Sequence, residues 1–327
     1  MTEHPTDRRP DVLGEPYTAE TIELPDDAEG PVVATLVRLP GEAPRERAVL
    51  YVHGFNDYFF QTGVADFFTA QGYDFYALDL RKYGRSLLAH QTPNFCIDVH
   101  EYFAELDEAY DRITQRDGHS TVLVVAHSTG GLIAPLWSDQ RRRDGRPLPV
   151  GFVLNSPWLD LQGSALLRTV GTRAIDQIGA RRPYQVIPRS TSGVYAESLH
   201  RDHRGEWDFD LTLKPLQTFT VRAGWLRAIR RAHRELHRGI DAGAPVLVLC
   251  STRTVFTNAW SDDVPRTDIV LDVKQIARWA HQLDRVVTIA RIDGAVHDVF
   301  LSGPDARACA YGYTRTWLNA VLPPRDE

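Results

Sequence analysis

The feature that most constrains the fold is the stretch VLVVAHSTGG, which runs over Val122–Gly131. Five apolar residues, three of them valines, end just before His127, and two glycines follow Ser128 after one further residue. A β-branched apolar run of this length is typical of a buried strand. A sharp turn from strand to helix requires little bulk two positions before and two after its tip, and Ala126 and Gly130 meet that requirement. The stretch therefore predicts a strand, a tight turn with Ser128 at its tip, and a helix.

The same alternation of strand and helix patterns recurs along most of the chain. Two alternating segments, separated by the turn-forming residues PDDAEGP, predict a hairpin of Thr18–Leu24 with Val32–Leu39. Further strand patterns lie at Arg47–Gly54, Tyr73–Leu80, Thr121–His127, Val150–Ser156, Ala244–Ser251 and Arg285–Ile292. Helical patterns lie at Gly63–Gly72, Asp98–Asp117, Thr129–Arg143, Val273–Gln282 and Pro304–Val321. This order predicts an α/β protein with a mostly parallel sheet and helices on both faces.

The alternation is interrupted over residues 160–243, where no pattern of a buried strand occurs. An insertion at this point predicts a mainly helical cap above the carboxyl edge of the sheet, where open α/β sheets bind ligands. The core would then consist of residues 17–159 and 244–327, preceded by a polar, flexible arm over residues 1–16. Helical patterns within the insertion cover Ala165–Arg181 and Gly224–Arg238.

Charge and cysteine content exclude several classes of protein. The 327-residue chain has a formal net charge of −6, which gives no overall attraction to nucleic acid. Three scattered cysteines suit neither a disulfide framework nor a zinc ribbon, and they favour a reducing compartment. No apolar run approaches the roughly 18 residues that a membrane span needs, and the N-terminal residues lack a secretory signal pattern. We therefore expect a cytoplasmic protein without stable membrane insertion; its oligomeric state is left open.

A serine at the tip of such a turn can act as a nucleophile. Its hydroxyl needs a base to accept the proton and backbone donors to hold the oxyanion that forms. One donor would be the N–H of Thr129, next to Ser128. A second strand pattern ends in YVHGFNDYFF, and a loop at that position can supply the other donor, here the N–H of Phe55.

These segments resemble the α/β-hydrolases, in particular the branch of monoacylglycerol lipases and serine aminopeptidases. The resemblance rests on VHGFNDYF, LDLRKYGRS, VVAHSTGG, LNSPWLDL and IDGAVHDVF, which occur in that family's order over most of residues 47–322. It implies that His53, Gly54 and Tyr58 lie beside the oxyanion hole and belong to the substrate-binding region. Two residues depart from the family pattern: Ala126 and Lys82 each stand where glycine is common.

The base is expected on the loop after the last strand, in the chain order Ser, Asp or Glu, His. Of twelve histidines, only His297 occupies that position. The family usually places the acid just after the strand that follows the cap, but Arg253 stands there. An insertion in STRTVFTNAWSDDVPR would displace the acid to Asp268, with Asp272 and Asp263 as the alternatives.

The insertion and its borders carry aromatic residues that suit an apolar acyl chain or form the cap's own core. They are Trp158, Tyr184, Tyr195, Trp207, Phe219 and Trp225. We assign Trp158 to substrate binding. His233 and His237 have helical spacing, and we interpret them as part of an exposed polar face rather than as zinc ligands. A run of arginines on the same helix is interpreted as a solvated face.

Together these features predict a serine hydrolase that cleaves a small, partly apolar carboxylic ester, such as a monoacylglycerol-like ester. Ser128, His297 and Asp268 would be catalytic, and no cofactor or metal would be needed. An aminopeptidase or amidase is the first alternative, with acidic residues of the insertion holding a substrate ammonium. Those residues are Glu197, Asp202, Glu206, Asp208 and Asp210. A non-catalytic ligand-binding protein is the alternative from another class.

Overall fold

The chain forms a single twisted sheet with helices on both faces, as its sequence predicts. A computed structural model describes residues 8–41, 45–161, 175–188 and 192–322. Within these residues the sheet has nine strands in the order β1-β2-β3-β5-β4-β6-β7-β8-β9. The first three strands are antiparallel and β3 pairs antiparallel with β5. The remaining strands, β4 to β9, are all parallel to one another.

The strands are β1 (Arg9–Pro10), β2 (Thr18–Asp27), β3 (Gly30–Leu39), β4 (Arg47–Val52), β5 (Asp74–Asp79), β6 (Thr121–His127), β7 (Gly151–Asn155), β8 (Val246–Ser251) and β9 (Val287–Ile292). The α-helices are α1 (Thr62–Ala70), α2 (Phe103–Asp111), α3 (Gly130–Arg143), α4 (175–181 within the described residues), α5 (Val194–Leu199), α6 (Ala223–Leu236), α7 (Val273–Trp279) and α8 (Pro304–Val321). None of these helices combines the length and apolar character needed to cross a membrane.

Two apolar cores lie on opposite faces of the sheet, because side chains of successive strand residues point to alternate faces. One core joins the sheet to α1 and α8. The other joins it to α2, α3, α6 and α7. Burial of β4 through β8 on both faces explains why their sequences are continuous apolar runs rather than alternating patterns.

Most strand and helix predictions agree with the structure to within a few residues, and the differences have local causes. The hairpin turn is shorter than predicted, because β2 continues past a bulge and Asp27 pairs with Gly30. Gly30 has a φ of 107°, which permits this tight reversal. The predicted helix over Asp98–Asp117 begins as a 3-10 turn capped by Asp98 and ends as a π turn over Arg112–Arg116.

The insertion between β7 and β8 contains α4, α5 and α6, of which α5 was not predicted. The first part of the predicted helix Ala165–Arg181 lies outside the described residues. Helix α6 is strongly amphipathic, and its apolar side chains belong to the same core as the sheet. This part of the insertion is therefore packed into the body of the protein.

Part of the predicted N-terminal arm is held against the sheet. Residues Arg9–Pro10 pair with β2, and the buried carboxylate of Asp11 accepts two hydrogen bonds from Arg85 at 2.6 and 2.7 Å. The prediction of flexibility over residues 1–16 is therefore wrong from residue 9 onward, because a paired buried charge fixes the chain there. Residues 1–7 lie outside the described part of the chain.

Gly130 and Gly312 provide a matched pair of glycine substitutions with opposite expected signs. A Cβ at Gly130 would lie 2.5 Å from the carbonyl oxygen of His53 and 2.7 Å from that of Val52, whereas one at Gly312 in α8 would meet nothing within 4 Å. We expect Gly130→Ala to lower the free energy of unfolding by about 1–3 kcal/mol. Gly312→Ala should raise it by up to about 1 kcal/mol. Denaturant unfolding measures both, and equal stabilities of the two variants would contradict the close approach at Gly130.

Candidate active site

Ser128 lies at the tip of the turn between β6 and α3, as the sequence predicts. Its φ of 51° places a non-glycine residue in the left-handed region, a conformation that costs roughly 1–3 kcal/mol and persists only where its surroundings enforce it. Its N–H donates to the carbonyl of Asn155 and its own carbonyl accepts from the N–H of Trp158, both at 2.9 Å. Hydrogen bonds to the neighbouring strand thus hold the turn from both sides.

Ser128, His297 and Asp268 form a continuous chain of hydrogen bonds. The Ser128 Oγ lies 3.0 Å from Nε2 of His297, and Nδ1 of His297 lies 2.9 Å from Oδ2 of Asp268. The three residues are 7%, 3% and 0% exposed. Since the carboxylate accepts from Nδ1–H, the Nε2 atom of a neutral imidazole is left to accept the serine proton.

Asp268 reaches His297 because its loop folds back alongside the end of β8. Thr254 and Asp268 form a parallel bridge, in which the Val255 N–H donates to the Asp268 carbonyl at 3.1 Å. The Asp268 Oδ1 accepts from the amides of Val270 and Leu271, each at 2.8 Å. The insertion in this loop therefore returns the carboxylate to the edge of the sheet from which the usual acid position is missing.

The two alternative carboxylates lie elsewhere. Asp263 forms an exposed ion pair with Arg253 at 2.6 Å. Asp272 caps α7 by accepting from the N–H of Lys274 at 3.0 Å. Each has a local structural partner and neither hydrogen-bonds to His297, so the geometry favours Asp268.

The two predicted oxyanion donors belong to the residue after Ser128 and to the loop that Gly54 brings against the serine. Within the described residues, the N–H groups of Phe55 and Thr129 have no acceptor. A Cβ at Gly54 would lie 2.9 Å from the Cβ of Ser128 and 3.2 Å from Cδ2 of His127. Only glycine allows the loop carrying Phe55 to approach the serine so closely.

A buried network that the sequence analysis missed supports the loop of His297. Asp298 accepts from Nδ2 of Asn155 at 2.6 Å, from the Phe300 N–H at 3.1 Å and from Nε2 of Gln61 at 3.2 Å. The Asn155 Oδ1 accepts in turn from the Val299 N–H at 3.0 Å. Two features of the sequence could have indicated this network. Asp298 directly follows His297, and Asn155 ends the strand β7.

The four residues assigned to substrate binding differ in their roles. Gly54 provides the clearance described above. The ring of His53 is buried, and both of its nitrogens have hydrogen-bond partners. Its Nε2 accepts from the Leu80 N–H at 3.0 Å, and its Nδ1 lies 2.7 Å from the Gly54 carbonyl. The hydroxyl of Tyr58 accepts from the Asp210 N–H at 2.8 Å. His53 and Tyr58 therefore shape the loop, and their polar groups already have protein partners.

Aromatic residues of the segments next to Ser128 pack against one another. The Trp225 ring centroid lies 4.3 Å from that of Phe55 and 5.8 Å from that of Trp158. On the other side, Tyr195 of α5 packs edge-on against the His297 ring at 5.8 Å. Burial raises the pKa of Tyr195 well above its ordinary value, and the nearby Asp298 charge adds to this. Tyr195 is therefore a neutral group that covers the histidine.

The interpretation of His233 and His237 as an exposed polar face is wrong. His233 is fully buried and donates from Nε2 to the carbonyl of Trp158 at 2.8 Å, while His237 donates to the carbonyl of Leu159 at 2.8 Å. Arg230, counted with the solvated arginines, is also buried and pairs with Asp160 at 2.8 Å. The helical pattern could not reveal that two carbonyls of the chain after β7 lie against this helix. Across the described residues, no group of three or more His, Cys, Asp or Glu side chains is placed to hold a metal.

Comparison with known proteins supports an assignment of family and fold. The family model described as "Serine aminopeptidase, S33" matches residues 43–301. No curated protein matches the sequence. Among solved structures, the chain is similar to a soluble variant of monoglyceride lipase from Saccharomyces cerevisiae bound to a substrate analogue. That match has 14% identity, covers 91% of this chain and 94% of the other, and has a TM-score of 0.65.

Two further structures have the same fold. The monoacylglycerol lipase of Paleococcus ferrophilus is 21% identical, with 87% of this chain and 98% of the other covered and a TM-score of 0.59. A lipase in an open form is 15% identical, with 94% and 100% covered and a TM-score of 0.65. At these identities the comparison establishes a shared fold.

The buried His233 gives the protein a defined sensitivity to acid. Burial, together with the charge of Arg230, lowers the pKa of His233 to about 3. Because the folded protein binds this proton less readily than the unfolded chain does, the stabilisation is complete above about pH 6.5 and is lost as the pH falls towards 3. We expect the free energy of unfolding to fall by more than about 1.4 kcal/mol, the equivalent of one pKa unit, over this interval.

The variant His233→Gln should show a shallower dependence of unfolding free energy on pH, since glutamine keeps a donor for the Trp158 carbonyl but does not titrate. The matched control is His281→Gln, which removes an exposed histidine. Urea unfolding between pH 3 and 7 measures the slopes. A slope in His233→Gln equal to that of the parent would contradict the assignment of the acid sensitivity to His233.

Proposed function

Because the chain belongs to the serine aminopeptidase S33 family of α/β-hydrolases, we propose that it is a serine hydrolase that cleaves a carboxylic ester through an acyl-enzyme intermediate. The observation that carries this proposal is the chain of hydrogen bonds from Ser128 through His297 to Asp268, beside two backbone N–H groups that have no acceptor among the residues the structure describes. A nucleophile, a base, an orienting acid and an oxyanion site are the parts that acyl transfer needs.

In the first half of the reaction, the Ser128 Oγ attacks the ester carbonyl carbon while its proton passes to Nε2 of His297. Asp268 remains ionised and stabilises the imidazolium that results. The carbonyl oxygen becomes an oxyanion, which accepts hydrogen bonds from the amides of Phe55 and Thr129. Loss of one such donor typically costs about 10²–10³ in kcat, so these amides would be a major source of catalysis.

The oxyanion intermediate then collapses: the ester C–O bond breaks, His297 gives its proton to the departing alcohol oxygen, and the acyl group stays on Ser128. A water molecule then gives a proton to Nε2 of His297 as its oxygen attacks the acyl carbon. The bond from that carbon to the Ser128 Oγ breaks, His297 returns the proton to Oγ, and the carboxylic acid is released. The left-handed backbone at Ser128 suits both steps, because it presents the hydroxyl above the end of the sheet with the N-terminus of α3 behind it.

The surroundings of Ser128 support a small, partly apolar ester as substrate. Phe55, Trp158 and Trp225 form an aromatic wall next to the serine, and aromatic walls favour apolar acyl groups or rings. The low exposure of Ser128 and His297 supports a role for residues 160–243 as a cap over the site.

An aminopeptidase or amidase ranks lower, because four of the five acidic residues of the insertion have other partners or face solvent. Asp210 accepts from the Thr212 N–H at 2.7 Å. Asp208 pairs with Arg201 and Glu206 with Arg307, both at 2.8 Å, and Asp202 is largely exposed. A non-catalytic binding protein ranks lower still, since ligand binding alone does not require the hydrogen-bonded Ser128, His297 and Asp268.

Hydrolysis of chromogenic substrates tests the proposal. We expect the purified protein to cleave p-nitrophenyl esters of short and medium acyl chains much faster than aminoacyl p-nitroanilides. Ser128→Ala should lose this activity while keeping its unfolding midpoint. Preference for the anilides would favour the aminopeptidase, and failure to cleave either class would refute the proposed activity.

Substitution of three aspartates by asparagine tests the assignment of the acid. Asp268→Asn should lower kcat by roughly 10⁴-fold, because the asparagine amide favours the wrong tautomer of His297. Asp263→Asn and Asp272→Asn are the matched controls, and their kcat should stay close to that of the parent. A comparable loss in either control, with normal activity in Asp268→Asn, would reassign the acid.

A further inference from the structure

The loop that carries Phe55 is bound to the insertion at three consecutive residues. Asn56, Asp57 and Tyr58 follow Phe55 directly, and each makes a side-chain hydrogen bond to a residue between 210 and 219. Three successive attachments on one short loop fix its path as well as its position. The orientation of the Phe55 N–H therefore depends on the insertion.

Asn56 lies next to Phe55 and has a φ of 52°, again in the left-handed region. Its Oδ1 accepts from the Phe219 N–H at 3.0 Å, and its Nδ2 donates to the Pro215 carbonyl at 3.3 Å. An asparagine tolerates this backbone better than most residues, and the two hydrogen bonds secure it. The peptide next to the oxyanion donor is thus held in an unusual conformation by the backbone of the insertion.

Asp57 and Lys214 form the strongest of the three attachments. The Lys214 Nζ lies 2.6 Å from Oδ1 of Asp57. Lys214 is 6% exposed and Asp57 is 2% exposed. Nζ also lies 5.1 Å from the ring centroid of Phe60 and 5.6 Å from that of Phe209. A charge pair enclosed by aromatic rings is weakly screened, and removing one partner leaves an uncompensated buried charge.

The same part of the insertion also holds the loop of His297. The Tyr195 hydroxyl accepts from the Asp298 N–H at 2.9 Å, and Nε1 of Trp207 donates to the Leu301 carbonyl at 2.9 Å. A small apolar cluster fills the space between these contacts. Its buried members are Tyr58, Phe60, Leu199, Phe209, Val296 and Leu301. The segment from Tyr195 to Phe219 therefore spans both loops of the site.

We propose that Lys214, through its ion pair with Asp57, is a positioning residue that sets the oxyanion N–H of Phe55 against Ser128. This inference rests on the proposed function, since it assigns Lys214 a role in the same reaction. The loop cannot move closer to the serine, because a single Cβ added at Gly54 would already lie 2.9 Å from the Cβ of Ser128. The segment that carries Lys214 is a fixed wall of the site, packed between the loops of Phe55 and His297.

The variant Lys214→Met tests the proposal, since methionine keeps most of the side-chain volume without the charge. A displacement of a catalytic group by about 1 Å, here the Phe55 N–H, costs about 10²-fold in rate. We therefore expect kcat for a p-nitrophenyl ester to fall by about 10- to 100-fold. KM should change by less than about threefold, because the oxyanion forms only after binding. Affinity for an alkyl trifluoromethyl ketone, whose adduct carries the oxyanion, should fall in parallel with kcat/KM.

Arg141→Met is the matched control. It breaks another ion pair of a buried cation, that of Arg141 with the partly exposed Asp107 at 2.5 Å, at the far end of α3. Arg141 is eleven positions after Gly130, which places it roughly 16 Å along the helix from Gly130, at the end remote from the serine. Arg141→Met should lower the unfolding midpoint as Lys214→Met does, but leave kcat unchanged. Asp57→Asn should reproduce the loss in kcat, and the double variant Asp57→Asn with Lys214→Met should lose little more than either single variant.

A parental kcat in Lys214→Met, or an equal loss in Arg141→Met, would overturn the proposal while leaving the proposed hydrolase activity intact. If the parent protein cleaves no ester, the proposed function fails and hydrogen exchange decides the positioning role. The amides of residues 53–60 should then exchange faster in Lys214→Met than in the parent or in Arg141→Met. Unchanged exchange in this loop would also overturn the proposal.

Discussion

The arrangement of the site depends on one strained backbone conformation, that of Ser128 at the end of β6. Its left-handed φ requires clearance on all sides, and the surrounding sequence provides it. Gly54 lets the Phe55 loop approach the serine, and Gly130 lets the start of α3 pass beneath the end of β4. The Ser128 N–H donates to the Asn155 carbonyl and the Ser128 carbonyl accepts from the Trp158 N–H, which fixes the turn to the end of β7 and the chain after it. The small residues around the serine are thus explained by the geometry of a single residue.

Parts of the insertion between β7 and β8 pack against the sheet and against the loops around Ser128. Helix α6 lies in the main core, and its two histidines hold the carbonyls of Trp158 and Leu159. The segment from Tyr195 to Phe219 contacts the loops of both Phe55 and His297. If the insertion acts as the cap that we propose, these parts of it also support the loops of the site.

Sequence reasoning predicted those parts of the candidate site that local patterns specify. Ser128 and His297 could be found because a strand, a turn and chain order each leave a recognisable pattern, and Asp268 could be proposed because an insertion accounted for Arg253 at the usual acid position. Contacts between distant segments leave no such pattern. The pairing of Lys214 with Asp57 joins residues 157 positions apart, and His233 donates to a carbonyl 75 positions earlier in the chain. Helical periodicity placed His233 on a face but could not tell what lies against that face.

The site of covalent modification by a fluorophosphonate tests the central claim most directly. Such a reagent reacts with a serine only where a base and an oxyanion site activate its hydroxyl, so the test does not depend on the natural substrate. Mass spectrometry of a proteolytic digest of the labelled, folded protein should find one phosphonyl group per chain, on Ser128. Modification of a different serine, or no modification of the folded protein, would contradict the account.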